Sequence, residues 1–352
     1  MPAEPLSPSS AAVLPCTLGE ADDFLSSPNA GVLACLSRQR GPFLVLGAGG
    51  KMGLHLSLML AKGLRQLGRP DEVIAVSRFS SLRDTADFTK HQLKTIACDL
   101  SDPDALARLP DAPTVFFLAG IKFGTQNAPE LLQKMNVEMP RLVAQRFRGS
   151  LIVAFSSGCV YPFVSPDSGG ATEQTPPDPI GDYAASCVAR ESAFQKIAAG
   201  HGTRVALIRL NYSVEFRYGL LLDVAQSVAR EQPVDVTMGY VNVIWQGEAV
   251  ARIIRCLDLA AAPAQPVNIA GHEILSVRKI AAQFGRLLGR TPAFNGMEAP
   301  KAWLNNASLA HARFGRPAID SDQMIRWVAA WLQAGGSNWG KPTGFERRDG
   351  KF

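Results

Sequence analysis

Charge is scarce in this sequence. Asp, Glu, Lys and Arg make up 19% of its 352 residues against 47% hydrophobic ones, which excludes an extended disordered chain and allows a large core. The formal net charge of +5 is not gathered into basic blocks, so neither a nucleic-acid surface nor a membrane-surface helix is indicated. A small-molecule partner, anionic in character, is the easier reading. Cysteine is sparse and dispersed: Cys16, Cys35, Cys98, Cys159, Cys187 and Cys256 form no CxxC pair, which argues against a zinc site or a disulfide framework and points to the reduced thiols of a cytoplasmic protein. His55, His91, His201, His272 and His311 fall into no HxH or HExxH spacing, so no metal site is expected. No segment approaches the ~20 apolar residues of a bilayer span. The Pro/Ser-rich start, Met1 to Cys16, lacks both the basic and the apolar stretch of a signal peptide.

What is present is a regular alternation. Short apolar runs at Phe43–Leu46, Glu72–Val76, Leu93–Ala97, Thr114–Leu118, Ser150–Phe155 and Val205–Arg209 are separated by helical stretches. Such a pattern predicts right-handed βαβ crossovers, a parallel sheet covered on both faces, and so an α/β doubly wound Rossmann fold. Residues 1–40 read as an N-terminal arm, loose to about residue 17, followed by helical spacing over Leu18 to Arg38 with a break at Pro28. Residues 41–210 read as the dinucleotide-binding domain, and 211–334 as a smaller, mostly helical substrate lobe whose segments near 241–270 return to the sheet. Helices are predicted at Leu220 to Glu231, Ser276–Leu288 and Ser321–Ala334, and 335–352 as a polar tail draped over a surface or used in association.

The chemistry begins at Gly47-Ala48-Gly49-Gly50-Lys51-Met52-Gly53, directly after the first apolar run. GxxGxxG spacing at a strand-to-helix turn removes side chains where a pyrophosphate approaches backbone N–H groups at a helix N-terminus. An acidic residue ending the second strand would hold the adenosine ribose of NAD. Here the strand ends Val76-Ser77-Arg78, and a hydroxyl followed by a guanidinium suits the 2′-phosphate of NADP, with NAD as the alternative should Arg78 be a solvated surface residue. Asp99-Leu100, ending the third strand, either meets the adenine amine or caps a helix with Ser101 and Asp102.

With these elements in order, together with Leu118-Ala119-Gly120-Ile121-Lys122, Asn136, Ser156-Ser157, Val160-Tyr161-Pro162 and Tyr183, the chain resembles the extended short-chain dehydrogenase/reductase family over roughly residues 43 to 290. Within it, the resemblance is to the NAD-dependent epimerase/dehydratase group that includes UDP-galactose 4-epimerase. The resemblance implies that Ala119, Gly120 and Lys122 line the cofactor, Lys122 neutralising a phosphate unless it is a surface lysine, and that Asn136 ties the fourth helix to that site. It also implies that Ser157 hydrogen-bonds the reacting oxygen and that Tyr183 exchanges a proton with it. A homodimer through two helices of the sheet domain follows from the resemblance alone.

One position departs from the family. A lysine one helical turn after the tyrosine would hold the nicotinamide ribose and lower the phenol pKa; this chain has Tyr183-Ala184-Ala185-Ser186-Cys187. A thiol supplies neither the charge nor the donors. Cys187 is therefore a small packing residue, a modest ribose contact, or a nucleophile lacking an evident activating base. Asn211, ending the sixth strand, would face the cofactor, and Tyr212 and Arg217 the substrate. Trp245, where the family usually carries an FxHVxD-like segment, is either a substrate contact or a core residue. The expected activity is that of an NAD(P)-dependent oxidoreductase or epimerase acting on a hydroxyl or carbonyl of a carbohydrate-like small molecule. The alternatives are a non-catalytic dinucleotide-binding sensor or structural protein, and a lyase or dehydratase on the same scaffold.

Overall fold

The computed structural model describes residues 14–80, 82–124 and 128–351. Seven parallel strands form its central sheet: β1 (Phe43–Leu46), β2 (Val73–Ser77), β3 (Lys94–Ala97), β4 (Thr114–Phe117), β5 (Leu151–Phe155), β6 (Val205–Leu210) and β7 (Gln265–Ile269). Their spatial order is β7-β6-β5-β4-β1-β2-β3. Chain order reverses beside β1, and in a doubly wound sheet the ligand crevice opens at that switch, beyond the carboxyl ends of the strands. β1 is buried along its whole length, as its unbroken Phe-Leu-Val-Leu run requires of a central parallel strand. The first six strands coincide with the apolar runs to within one residue at either end. β7 is not set off by such a run. It opens with Gln265 exposed and Pro266 half-buried, which an edge strand tolerates because one side needs no partner.

Helices cover both faces. Gly53–Gln66 packs against Ala30–Leu36 and Gln246–Arg255 on one side, while Met139–Arg146 packs against the long helix Gly181–His201 on the other. The lobe is a packing of Leu220–Ala229, Val277–Leu288 and Ser321–Gln333 on one another. In its core Trp245 meets Phe216 and Trp327 edge to face. Phe24, from the helix Leu18–Leu25, inserts into this cluster with ring centroids 5.2 Å from Trp327. The expected loose arm falls mainly on residues 1–13, outside the described residues. The helix behind it is well specified, with a Thr17–Glu20 capping box at its start and, after Pro28, an Asn29 cap opening Ala30–Leu36.

This first helix also carries a buried charge. Asp22 is 1% exposed, and its Oδ1 meets His55 Nε2 at 2.9 Å, Arg217 Nη1 at 2.8 Å and Arg83 Nη2 at 3.1 Å. Burial alone would raise this carboxyl. The hydrogen bond from His55 and the charge of Arg217 outweigh it and hold the group well below the usual carboxylate range.

The last residues return to the lobe. Trp339 stacks on Tyr218 at 5.5 Å, Thr343 donates through its backbone N–H and its hydroxyl to Asp223, and the Arg348 guanidinium sits 3.9 Å from the Phe163 ring centroid. Phe345 is buried in the lobe core. The aromatic residues in this polar stretch give it apolar surface to bury. No helix among the described residues is long and apolar enough to cross a membrane, and no cluster of metal ligands occurs among them.

Candidate functional site

The crevice above the carboxyl edge of the sheet has two ends. The first is built around the glycine loop between β1 and the helix Gly53–Gln66. Gly47 has φ +87°, and an added Cβ there would lie 2.5 Å from the Ala119 backbone nitrogen, so only glycine lets the loop cross so close to the end of β4. Gly53 abuts the Ala48 backbone and Gly49 the Ser77 hydroxyl. At Gly50 an added Cβ would meet nothing nearer than the Gly47 carbonyl at 3.4 Å, so the space beside it is left to a ligand. The following helix has no side-chain cap at its N-terminus. Its first N–H groups and positive dipole end therefore remain available to an anion. A small cavity here is lined by Gly47, Gly50, Ser77, Arg78, Asp99, Leu100 and Ala119. Arg78 is exposed at its rim. Asp99 accepts from the Ser101 hydroxyl at 2.7 Å, which lowers its pKa first, with Arg78 assisting. The cap of the next helix is Asp102 rather than Asp99.

The second end is a larger cavity of about 300 Å³ lined mostly by side chains. Ser157, Tyr183, Lys122, Asn211, Tyr212, Lys51 and Met52 line it. Leu118, Gly120 and Ile121 line both cavities, so the two adjoin along the segment after β4. Tyr183 stands in the first turn of Gly181–His201, with Lys122 Nζ 5.8 Å from its ring centroid. Ser157 follows β5, its Oγ 3.0 Å from Cys159 Sγ. Asn136 does not reach the cavity itself. It is fully buried in a π-turn, Lys134–Glu138, and holds the loop after β4 by accepting from Ile121 N and donating to Ile121 O, while its Nδ2 also donates to Ser186. Asn211 Nδ2 is bound to Asn242 Oδ1 at 2.7 Å, and Tyr212 holds the unusual φ of +36°. Lys51 turns from the glycine loop toward this end, donates to the Ser213 carbonyl at 2.6 Å and lies over the Tyr218 ring. Burial brings its amine down to about 7, against the pull of Glu215, and burial likewise lowers Lys122.

Cys187 is fully buried among Val160, Tyr161 and Ala171 and is not on the cavity wall. The thiol of Cys159 shares a hydrogen bond with it, so that Cys187 ionises more readily than a free thiol and Cys159 less readily. Burial first, then the two sulfurs, push the Tyr183 phenol well above its usual value, with Arg190 pulling the other way.

Two of the substrate candidates also fall outside the cavity. Arg217, expected at the substrate, is 1% exposed and spent on Asp22 and Glu215, with Trp339 over its guanidinium. Trp245 is 1% exposed in the aromatic cluster of the lobe. Arg190, Cys159, Thr343 and Phe345 are among the cavity residues not anticipated from sequence. For Arg190 a local signal exists, since it shares a helix face with Tyr183 and Cys187 at spacings of seven and three residues.

The observed cleft fits a dinucleotide. Gly50 leaves a side-chain-free approach to an uncapped helix start, and at the far end Arg190 Nε and Nη2 are buried without a partner. Among solved structures, a double mutant of the dTDP-glucose 4,6-dehydratase DesIV from Streptomyces venezuelae, with NAD and DAU bound, gives a TM-score of 0.71 at 19% identity and covers 83% of this chain and 97% of that one. The UDP-glucose 4-epimerase of Thermus thermophilus in complex with NAD gives 0.68 at 18% identity, covering 83% and 98%. The UDP-glucuronic acid 4-epimerase of Bacillus cereus in complex with NAD gives 0.68 at 16%, covering 83% and 99%. At such identities the likeness is one of fold. No curated protein sequence matches significantly. The model of the NAD dependent epimerase/dehydratase family matches residues 43–234, more than half of the chain and the whole stretch from β1 through β6, and the protein accordingly belongs to that family of enzymes.

Proposed function

We propose that this enzyme is an NAD(P)-dependent oxidoreductase or epimerase acting on a hydroxyl or carbonyl of a carbohydrate-like small molecule. The observation that carries the reading is adjacency: the cavity holding Ser157 and Tyr183 shares Leu118, Gly120 and Ile121 with the glycine-loop cavity. A dinucleotide lying along the strand ends would then reach from Gly50 to Tyr183. When bound, its nicotinamide supplies the hydride acceptor or donor. Ser157 donates to the substrate oxygen, and Tyr183 holds the proton that this oxygen gains or loses. Its raised pKa suits the acid role directly; the base role needs positive charge close to the phenol. Lys51 and Lys122 on the same wall suit an anionic substrate. Ser77 and Arg78, with no carboxylate ending β2, favour NADP over NAD. A cytoplasmic homodimer completes the proposal.

Two measurements test it. Mass spectrometry of nucleotide released from gently purified, then denatured protein, with NADPH and NADH titrations on the same preparation, is expected to show preferential NADPH binding. Stoichiometric tightly held NAD would replace the NADP preference with an internally recycled cofactor. Failure to bind any form would remove the redox reading. Tyr183→Phe is expected to leave dinucleotide affinity unchanged and to lower turnover by about 10²- to 10⁴-fold, the usual weight of a positioned acid/base. A second reading, a dinucleotide-binding protein without turnover, draws on the thiol at Cys187 and the raised Tyr183 phenol. Slow hydride exchange that Cys187→Lys strongly raises would favour it.

A further inference from the structure

Arg190 is a buried charge that the protein itself does not answer. It is 5% exposed, and only Nη1 has a partner, the Phe155 carbonyl at 3.3 Å; Nε and Nη2 have none. Among the described residues no carboxylate pairs with it. Glu191, the next residue, is engaged by Arg209 at 2.6 Å and by the Ser156 hydroxyl. A guanidinium removed from water with idle donors is strongly unfavourable unless something polar meets it. Its position shows where that would be. Arg190 lies on the wall of the cavity that holds Ser157 and Tyr183, against the face of Gly120, where an added Cβ would strike Nη2. Gly120 is also one of the residues joining the two ends of the cleft. Tyr183, Cys187 and Arg190 project from one face of the same helix, so Arg190 stands one turn beyond the position where a lysine is missing.

We propose that Arg190 performs the task of the lysine absent at Cys187: its guanidinium donates to the hydroxyls of the ribose on the nicotinamide side and is the fixed positive charge beside Tyr183. The longer, planar side chain starts one turn further along the helix and reaches back with two donors, and it keeps its charge at every physiological pH. The vacated position is filled by a small buried thiol. The inference rests on the dinucleotide reading above, and the experiment separates the two.

Wild type, Arg190→Met, Arg190→Lys and the double variant Arg190→Met/Cys187→Lys are titrated with three probes. These are the reduced dinucleotide that wild type binds more tightly, ADP-ribose, and ADP, the last two as 2′-phosphorylated forms if that dinucleotide is NADPH. Arg190→Met is expected to weaken the dinucleotide and the ADP-ribose probe by about 10- to 100-fold, the weight of hydrogen bonds from a charged donor, and to leave ADP unchanged. Cys187→Lys on that background is expected to recover most of the loss, which a purely structural role for Arg190 would not allow. Should Arg190→Met fail to fold, Arg190→Lys carries the test: it keeps the charge, loses the planar fork, and is expected to weaken ADP-ribose while sparing ADP. Unchanged ribose affinity in the folded variants, or an equal loss for ADP, overturns the assignment. A wild type that binds none of the probes overturns the dinucleotide reading instead.

Discussion

The two ends of the cleft are made of different material. At the glycine loop the ligand surface is backbone, and Gly47, Gly50 and Gly53 act through what they lack. At the Tyr183 end the surface is side chains drawn from the loop after β4, the turn after β5, the helix Gly181–His201, the segment after β6 and the C-terminal tail. A backbone cradle ties its function to fixed spacing, because no other position can bring a main chain to the same place. A side-chain surface ties its function only to reach and charge. The same cation can be delivered from another position, and the family's tyrosine–lysine spacing can be lost without the loss of positive charge near the phenol.

Asp22 is tied to both ends, and its removal is expected to have the largest effect. Through Arg83 it supports the loop, since the Arg83 backbone N–H donates to the Gly49 carbonyl at 3.2 Å; through Arg217 it supports the tail, since the Arg217 carbonyl accepts from Trp339 at 3.2 Å. Asp22→Ala leaves two guanidinium groups and His55 buried around an empty position. Denaturant unfolding is expected to show a loss of about 3–5 kcal/mol. Because the folded pKa of Asp22 lies below its unfolded value, its contribution is complete above the unfolded value and is lost as pH falls through the folded one. Wild type is therefore expected to resist acid further than Asp22→Asn. If the comparison between the two ends is right, a folded Asp22 variant loses affinity at both; a loss confined to one end would make that end independent of the first helix.

The contrast in material also decides what could be read in advance. β1 to β6 were legible because buried parallel strands need unbroken apolar runs, and the glycine loop because its spacing is its mechanism. β7 falls within the 241–270 segments expected to return to the sheet, but its bounds could not be set because an edge strand with Gln265 and Pro266 at its start carries no such run. Ser157 and Tyr183 were found by resemblance, and the fold brings them to one cavity. Arg190 was passed over because an arginine in a long helix reads as a solvated residue, although its spacing from Tyr183 and Cys187 puts it on their face. Arg217 attracted attention by standing in irregular chain after β6 and Trp245 by standing where the family usually carries an FxHVxD-like segment, whereas their partners, Asp22 and Phe24, come from a helix nearly two hundred residues earlier or more. The tail was opaque for the same reason: Thr343 finds Asp223 and Trp339 finds Tyr218 only in three dimensions.

Gly50→Val isolates the backbone end. The added side chain has room in the folded protein, with only the Gly47 carbonyl at 3.4 Å, so the thermal midpoint is expected to stay near that of wild type. The same side chain stands where the diphosphate would approach. Overpacking of this kind costs about 1–3 kcal/mol, so dinucleotide and ADP affinities are expected to fall together by about 10- to 100-fold. This is the opposite of the pattern expected for Arg190→Met, and the pair of variants sharpens the division of the cleft. Gly47→Ala would not serve the purpose, because positive φ and the nearness of Ala119 mix a folding defect into the reading.

The smallest effect is expected at Arg78, an exposed cation on the cavity of the backbone end. Arg78 is exposed, so an ion pair made there is screened by water and salt. Arg78→Ala is expected to weaken NADPH by about tenfold, the weight of a charge-assisted pair to a phosphate in partial contact with solvent, and to leave NADH unchanged. The loss has a second source. Asp99 lies on the same small cavity and has its pKa lowered in part by Arg78, so removing the guanidinium leaves a carboxylate facing the incoming phosphate with less to offset it. The difference between wild type and variant should accordingly shrink as salt is raised, which titrations at low and high ionic strength would show. An equal loss for NADH and NADPH would mean that Arg78 acts on the part of the adenosine common to both. The preference at this end would then lie in Ser77 and the backbone alone.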